Sequence, residues 1–374
     1  MDFSYAALRR FPDVEAPNLQ AWDATDELLV QHALAAGVDV SEIAVIGDEY
    51  GAITLALTDA GLRRIRVHQD LATGRRALAR NAQALDLEGF ASHELDELLL
   101  EGARLVLLQL PKALAELEET ADVVARWAAT DAVLVAGGRV KHMTLTQNEV
   151  LGRSFEIVQP QRAERKSRLI VASGPRSVPV EPPYPQSSEH LEFGLTLASH
   201  GGAFAASRID IGTRVLLDVL FGASKSRSAP AEHVIDLGCG TGALAAFYAL
   251  HHPEARITAT DRSAAAVASA RETMIANGVE DRVAVTHDDA GSELPDASTD
   301  LILLNPPFHL GASIHTRAAT RLFEASARLL RHGGALVTVY NSSLDYKPEL
   351  ARLIGRSEQL RRTSKFTVTR SIRR

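Results

Sequence analysis

His233-Val-Ile-Asp236-Leu-Gly238-Cys-Gly240-Thr-Gly242 joins an apolar run of strand length to a glycine-rich turn, and an alanine-rich segment of helical character continues from Ala243. A strand that ends in such a turn and feeds a helix is one unit of a doubly wound α/β sheet. Glycines let the backbone approach a ligand closely, and the helix start presents unpaired amides to it. The pattern D-x-G-x-G-x-G differs from the G-x-G-x-x-G built around a pyrophosphate, and its acidic opening suits a cationic ligand.

The alternation of strand and helix continues on the C-terminal side. Residues 256–260 form an expected second strand ending at Asp261, followed by a helix through Ala276. Residues 282–286 form a third, ending at His287-Asp288-Asp289, and residues 300–304 a fourth, ending on Asn305. A helix over residues 316–330 is expected to stop at His332-Gly333-Gly334, and residues 335–340 make a fifth strand. Polar and glycine residues thus gather at the carboxyl ends of successive strands, the edge where open α/β sheets bind ligands.

The first half repeats this organisation. Val45-Ile-Gly47-Asp-Glu49-Tyr-Gly51 parallels Asp236-Leu-Gly238-Cys-Gly240-Thr-Gly242; Leu105-Val-Leu-Leu-Gln109-Leu-Pro111 parallels Leu301-Ile-Leu-Leu-Asn305-Pro-Pro307; Leu151-Gly-Arg-Ser154 parallels Ile354-Gly-Arg-Ser357. Three matches in order favour a duplicated domain. A Pro- and Ser-rich stretch, residues 171–189, divides the halves. The expectation is an α/β protein of two tandem Rossmann-like domains, residues 1–175 and 191–374, joined by a linker over residues 176–190, each sheet parallel.

Composition narrows the classes of function. The 374 residues suffice for two cores, and no apolar run has the length of a membrane span or of a signal peptide behind a basic N-terminus. A soluble, cytoplasmic protein with no membrane partner is expected. Cys239 is the single cysteine, and no Cys/His cluster has metal-ligand spacing, so neither a disulfide nor a metal is expected. A net charge of -7 gives no global attraction to phosphate, leaving nucleic-acid binding to local patches. One such run spans residues 352–374, where Arg352, Arg356, Arg361, Arg362, Lys365, Arg370, Arg373 and Arg374 are opposed by Glu358 alone.

S-adenosylmethionine carries a sulfonium, an ammonium and a carboxylate, and its amino-acid end can use both the amides and the carboxylate of the turn at Asp236, Gly238, Gly240 and Gly242. Asp261 is placed to accept from a ribose diol. Asp288 is the candidate acceptor for an adenine amine, with Asp289 competing, although either carboxylate could instead cap the helix that follows. Cys239 has no basic partner and reads as a small turn residue.

Asn305-Pro306-Pro307-Phe308 carries the chemistry. The prolines remove two amide donors and hold the carbonyls in an extended loop. A planar NH2 group can donate to the Asn305 side-chain oxygen and to the Pro306 carbonyl, which orients its nitrogen toward the methyl donor. Phe308 offers a stacking face for the base bearing that amine. No strong general base is required.

These residues resemble the ribosomal-RNA guanine-N2 methyltransferases of the RsmC/RlmG type, which pair a degenerate N-terminal methyltransferase-like domain with an active C-terminal one. The resemblance extends to Gly202-Ala-Phe204, to Arg208-Ile-Asp210-Ile-Gly212-Thr-Arg214, to His309 after the NPPF loop and to Leu344-Asp345-Tyr346. It implies a class I methyltransferase using S-adenosylmethionine, acting on the exocyclic N2 of a guanine in ribosomal RNA. It also implies substrate contacts from Phe204, Arg208, Phe308, His309 and Tyr346. NPPF is shared with adenine-N6 and glutamine-N5 methyltransferases, so those substrates remain alternatives, as does a non-catalytic RNA-binding or assembly factor.

The first half departs from a working site. Glu49 stands in the place of Gly240, Gln69 or Asp70 near that of Asp261, and Gln109-Leu110-Pro111-Lys112 replaces NPPF. A degenerate copy serving as scaffold or RNA-recognition domain is expected, and a monomer, since one chain already holds two copies.

Overall fold

The computed structural model describes residues 3–37, 42–224, 231–307 and 313–374. The chain divides into two compact units, Met1–Tyr184 and Pro185–Arg374.

In the first unit the elements run α1 (Ala24–Ala36), β1 (Ile43–Ile46), α2 (Ala52–Asp59), β2 (Ile65–His68), α3 (Ala72–Leu85), β3 (Phe90–Ser92) and α4 (Glu97–Leu100). They continue β4 (Leu105–Gln109), α5 (Leu114–Trp127), β5 (Val133–Arg139), α6 (Leu145–Ser154), β6 (Phe155–Pro160) and β7 (Ser167–Pro175). The strands form one sheet in the order β3-β2-β1-β4-β5-β7-β6.

The second unit opens with a hairpin, β8 (Gln186–His190) and β9 (Leu195–Ser199), then α7 (Ile211–Ser224), β10 (His233–Leu237), α8 (Ala243–His251), β11 (Arg256–Asp261) and α9 (Ala264–Ala276). It continues β12 (Val283–His287), β13 (Thr299–Leu304), α10 (Ser313–Leu329), β14 (Leu330–Asn341), α11 (Lys347–Leu353), β15 (Ser357–Arg362) and β16 (Phe366–Ile372). Its seven-stranded sheet has the order β12-β11-β10-β13-β14-β16-β15, strand for strand that of the first unit.

Both sheets are mixed, which corrects the expectation of purely parallel ones. Strands β10 to β14 pair in parallel, whereas β16 runs antiparallel to both β14 and β15. In the first unit β7 likewise runs antiparallel to β5 and β6. In the second unit β15 and β16 lack the apolar run of a buried parallel strand. Every residue of β15 after Ser357 is exposed, and β16 intersperses Thr and Ser with its apolar residues.

Two boundaries also differ from those expected. Residues 332–334 do not terminate a helix: α10 ends at Leu329, and the register jump from Thr299↔Leu330 to Leu301↔Ala335 makes the glycines a bulge at the start of β14. Part of the expected linker, Gln186–His190, is strand β8, paired with β9.

Side chains alternate across the second sheet. Val234, Leu301, Leu303, Val337 and Val339 face one core with α7, α8 and α9, while Ile235, Leu237, Ile302, Leu304 and Leu336 face another with α10 and α11. Helices on both faces explain why β10 and β13 read as continuous apolar runs. Phe247 and Phe323 anchor the two cores and are essentially unexposed, so truncating either to alanine costs about 3–5 kcal/mol.

The hairpin is fixed to α9 and its C-cap by side chains that stand in for a strand. Asn277 accepts from the Thr196 amide at 3.0 Å and donates to its carbonyl at 2.6 Å, and Thr273 Oγ1 accepts from the Ala198 amide at 3.0 Å. This anchors the segment that leads from β9 into the start of α7.

Candidate active site

In the second sheet β10 lies between β11 and β13, so the chain reverses direction across the sheet there. The glycine turn after β10 and Asn305 after β13 flank this switch point, where strand ends splay and leave room for a ligand.

The turn is held from the neighbouring strand. The amides of Gly238 and Cys239 donate to the Thr260 carbonyl at 2.8 and 3.0 Å, and the Gly240 amide donates to Asp261 Oδ2 at 2.9 Å. The second oxygen of Asp261 accepts from the Ser263 amide at 3.0 Å. Gly240 and Gly242 both have left-handed backbone, with φ of 54° and 80°. Their surroundings differ. A Cβ on Gly242 would lie 2.6 Å from Met274 Cε, whereas one on Gly238 or Gly240 would meet nothing within 4 Å among the described residues. Gly242 therefore serves the contact of turn with helix, and the other two face open space, as a ligand cradle requires.

Asp236 is almost wholly buried at the end of β10. One oxygen accepts from the Ala245 amide at 3.0 Å, and the other, Oδ1, has no partner among the described residues. Burial, reinforced by the charge of Asp261 and opposed by the Ala245 hydrogen bond, pushes its carboxyl up to about 7. A buried carboxylate with an unused oxygen beside open glycine backbone fits the cationic amino-acid end of S-adenosylmethionine. Burial, with the charges of Asp261 and Asp236, also holds the Cys239 thiol well above its ordinary range, which agrees with a structural turn residue.

Asp288 follows β12, and its amide donates to the Asp261 carbonyl at 2.9 Å. Its carboxylate accepts from Ser292 Oγ at 2.6 Å and from the Glu293 amide at 2.8 Å. Asp289 is ion-paired with Arg321 of α10. Of the two aspartates weighed for an adenine amine, Asp289 is thus neutralised by a cation, and Asp288 organises the loop after β12.

Asn305 is held in one orientation. Its Nδ2 donates to Thr213 Oγ1 at 2.8 Å and to Asp210 Oδ2 at 3.1 Å, while its Oδ1 is buried and has no partner among the described residues. Asp210 caps α7, accepting from the Gly212 and Thr213 amides at 2.9 and 3.3 Å. The roles of Asp210 and Thr213 escaped sequence reasoning, although an Asp three residues before a Thr at a helix start is a legible capping pattern. Pro306 is buried and Pro307 exposed. Phe308 and His309 lie outside the described residues.

The remaining candidates separate. Phe204 and Arg208 are exposed on the segment between β9 and α7, the side from which Asp210 meets Asn305. Tyr346, expected as a substrate contact, is instead a core residue. Its ring is buried and packs edge-on to Phe323 and Tyr340 with centroids 5.1 and 5.6 Å apart, because the turn before α11 folds it inward.

The corresponding edge of the first unit is filled by its own side chains. A Cβ on Gly47 would meet the Cβ of Gln109 at 3.2 Å, where that on Gly238 meets nothing. Gln109 Nε2 donates to Asp26, and Arg10 stacks 4.5 Å above the Tyr50 ring, whose hydroxyl donates to Asp13 at 2.8 Å.

A doubly wound sheet closed by an antiparallel hairpin, with an acidic glycine turn after its central strand and an Asn-Pro-Pro loop after the next, defines a class I methyltransferase with S-adenosylmethionine as its cofactor. Two family models match: "Methyltransferase small domain" over residues 194–370 and "RLMG N-terminal domain" over residues 1–176. The chain belongs to the ribosomal RNA large subunit methyltransferase G family. It is 34% identical to the protein of that name from Streptomyces avermitilis, covering 98% of this chain and 97% of the relative. Identity to the namesake in Pseudomonas paraeruginosa is 35%, over 99% of this chain and 98% of the relative. Among solved structures, the T. thermophilus 16S rRNA N2 G1207 methyltransferase (RsmC), in complex with AdoMet and guanosine, shares the fold with a TM-score of 0.75 at 21% identity, covering 96% of this chain and 97% of that one.

Proposed function

We propose that this chain methylates the exocyclic N2 of a guanine in ribosomal RNA, that of the large subunit by the name its relatives carry. The observation that carries the reading is Asn305, whose amide nitrogen is spent on Asp210 and Thr213 and whose oxygen has no donor among the described residues. An unsatisfied buried acceptor costs about 1–3 kcal/mol. An incoming N–H of a planar amine recovers it.

Asp236, Gly238, Gly240, Asp261 and Asp288 are the residues that would hold S-adenosylmethionine, which supplies an electrophilic methyl group when bound, while Gly242, also expected there, packs the turn against α9. Asn305 Oδ1 and the Pro306 carbonyl each accept one N–H of the amine, fixing its plane and favouring the pyramidal nitrogen whose lone pair would take up the methyl group as its bond to sulfur breaks and the neutral thioether leaves. Proline at 306 and 307 removes amides that would compete for those acceptors. The nitrogen then carries one hydrogen too many and is acidic, so the proton leaves to water without a dedicated base. Phe204, Arg208, Phe308 and His309 are the proposed surroundings of the base.

The first unit is proposed to be a degenerate copy that binds no cofactor and serves RNA recognition or scaffolding. The filled edge at Gly47 and Tyr50 supports this. A ribosomal RNA substrate implies the cytoplasm, and among the described residues no helix is long and apolar enough to cross a membrane. One chain carries both copies of the fold, so a monomer suffices.

The test is transfer of a labelled methyl group to deproteinised large-subunit RNA. Wild-type protein is expected to label the RNA, and Asn305→Ala to lose labelling while retaining cofactor binding. Label confined to protein, with none in RNA, would overturn the substrate.

A further inference from the structure

The cationic C-terminal run, one continuous feature in sequence, is split in two by the β15–β16 hairpin. Residues 357–374 hold six cationic side chains against the single acid Glu358. Because β16 is antiparallel to β14, with Asn341 opposite Phe366, the turn between β15 and β16 lies at the carboxyl edge of the sheet. The Ser342 amide donates to the Lys365 carbonyl at 2.8 Å, which fixes that turn against the end of β14. Arg362 pairs with Thr367 in register and sits at the same edge, next to Arg361. The other end of β16 lies at the opposite edge, where Arg373 exchanges backbone hydrogen bonds with Gly333 and Gly334.

Asn305 follows β13, and β13, β14, β16 and β15 are consecutive in the sheet. Three interstrand steps of about 4.8 Å place the Arg362 end of β15 roughly 14 Å from the Asn305 strand along one edge. Eight residues of strand put Arg373 roughly 25 Å away, on the wrong edge. Arg362 and Lys365 are exposed and have no acidic partner among the described residues, whereas Arg361 pairs with Asp218 at 3.1 Å. Asp345, also exposed, is an acid of the same edge.

A base must be unstacked for its exocyclic amine to reach a buried acceptor, so the adjoining backbone has to be held while the nucleotide is out. We propose that Arg362 and Lys365 grip phosphates of the RNA strand flanking the target nucleotide and lead it along the carboxyl edge toward Asn305. The proposal rests on RNA as the substrate and adds the surface that holds it. The far-edge arginines take no part.

The experiment compares two charge-reversed pairs in the full chain, Arg362→Glu/Lys365→Glu and Arg373→Glu/Arg374→Glu, by fluorescence anisotropy with a labelled single-stranded RNA oligonucleotide across a salt series. The near-edge pair is expected to weaken binding tenfold or more at low salt. It should also flatten the slope of log affinity against log salt by about 1.4, two phosphates at roughly 0.7 each. The far-edge pair is expected to change affinity less than about twofold, since it touches no phosphate. Arg362→Gln/Lys365→Gln, which removes the charge without reversing it, is expected to give the same change in slope. Cofactor binding measured on each variant reports its folding. Equal weakening by both pairs, wild-type affinity in the near-edge pair, or no RNA binding by wild-type protein would each overturn the proposal. RNA binding that depends on the near edge, without any methyl transfer, would support this surface and sink the guanine reading instead.

Discussion

Thr213 Oγ1 accepts a 2.8 Å hydrogen bond from the side-chain amide of Asn305, and this contact decides which end of that amide faces a substrate. With Nδ2 committed to Thr213 and Asp210, only Oδ1 remains, so the loop after β13 presents an acceptor and not a donor. An amine is recognised by this arrangement and a carbonyl is repelled. Thr213 and Asp210 are positioning residues in this account, acting through Asn305.

Replacing Thr213 by valine keeps the shape and removes the acceptor. The expected result is a fall in kcat for methyl transfer of about tenfold, equivalent to one orienting hydrogen bond of roughly 1.4 kcal/mol. Cofactor affinity should stay within about twofold of wild type, because the change leaves the turn after β10 intact. Thr213→Ser should restore the rate. A valine variant with wild-type kcat would show that the amide needs no such lock.

Asp236 makes cofactor binding depend on pH. Burial holds its carboxyl near 7 in the free protein, and a cation bound beside it favours the carboxylate and lowers that value. Binding therefore releases a proton between the lowered value and about 7, and affinity declines as pH falls below about 7, by at most tenfold per pH unit. The same upward shift makes the protonated form the more stable one in the free protein. That contribution is present at acid pH, below the ordinary carboxylate range, and is lost as pH rises through about 7. Calorimetry in buffers of different ionisation enthalpy measures the released proton directly. Asp236→Asn is expected to bind weakly with no pH slope between 6 and 8, and a slope that survives the substitution would assign it elsewhere.

Of the three left-handed glycines of the turn, Gly240 and Gly242 should fail in different ways. Alanine at Gly242 adds a methyl 2.6 Å from Met274 Cε and 3.1 Å from Ala270 Cβ at φ 80°. Strain of about 1–2 kcal/mol plus repacking is expected to lower Tm by several degrees. Alanine at Gly240 meets open space, so its main effect should be lost cofactor affinity, with a smaller change in Tm. Thermal melts paired with binding titrations separate the two, and the reverse order of Tm losses would contradict the assignment of open cradle and packed contact.

Much of this was legible in the sequence because apolar strands and glycine turns are local signals. The five parallel strands of the second sheet, the turn at Gly238 to Gly242 and the position of Asn305 all followed from runs such as Leu301-Ile-Leu-Leu. Strands β15 and β16 did not, because an exposed edge strand such as Ser357–Arg362 has no apolar period, and its arginines read as a charged tail. The partnership of Asn305 with Thr213 joins residues 92 apart in sequence and exists only once α7 lies beside β13. The expectation of a substrate contact at Tyr346 came from the resemblance alone, and its burial against Phe323 and Tyr340 depends on packing that no local signal carries.

Cofactor stoichiometry tests the reading of the duplicated fold. One S-adenosylmethionine per chain is expected by calorimetry, since Gln109 covers Gly47 and Arg10 and Asp13 cover Tyr50 in the first unit. A second site of comparable affinity would mean that those side chains move aside.

The most direct test of the central claim is nucleoside mass spectrometry of large-subunit RNA after incubation with the protein and S-adenosylmethionine. N2-methylguanosine is the expected product, present with wild-type protein and absent with Asn305→Ala. Methyladenosine in its place, or unmodified RNA beside methylated protein, would contradict the account.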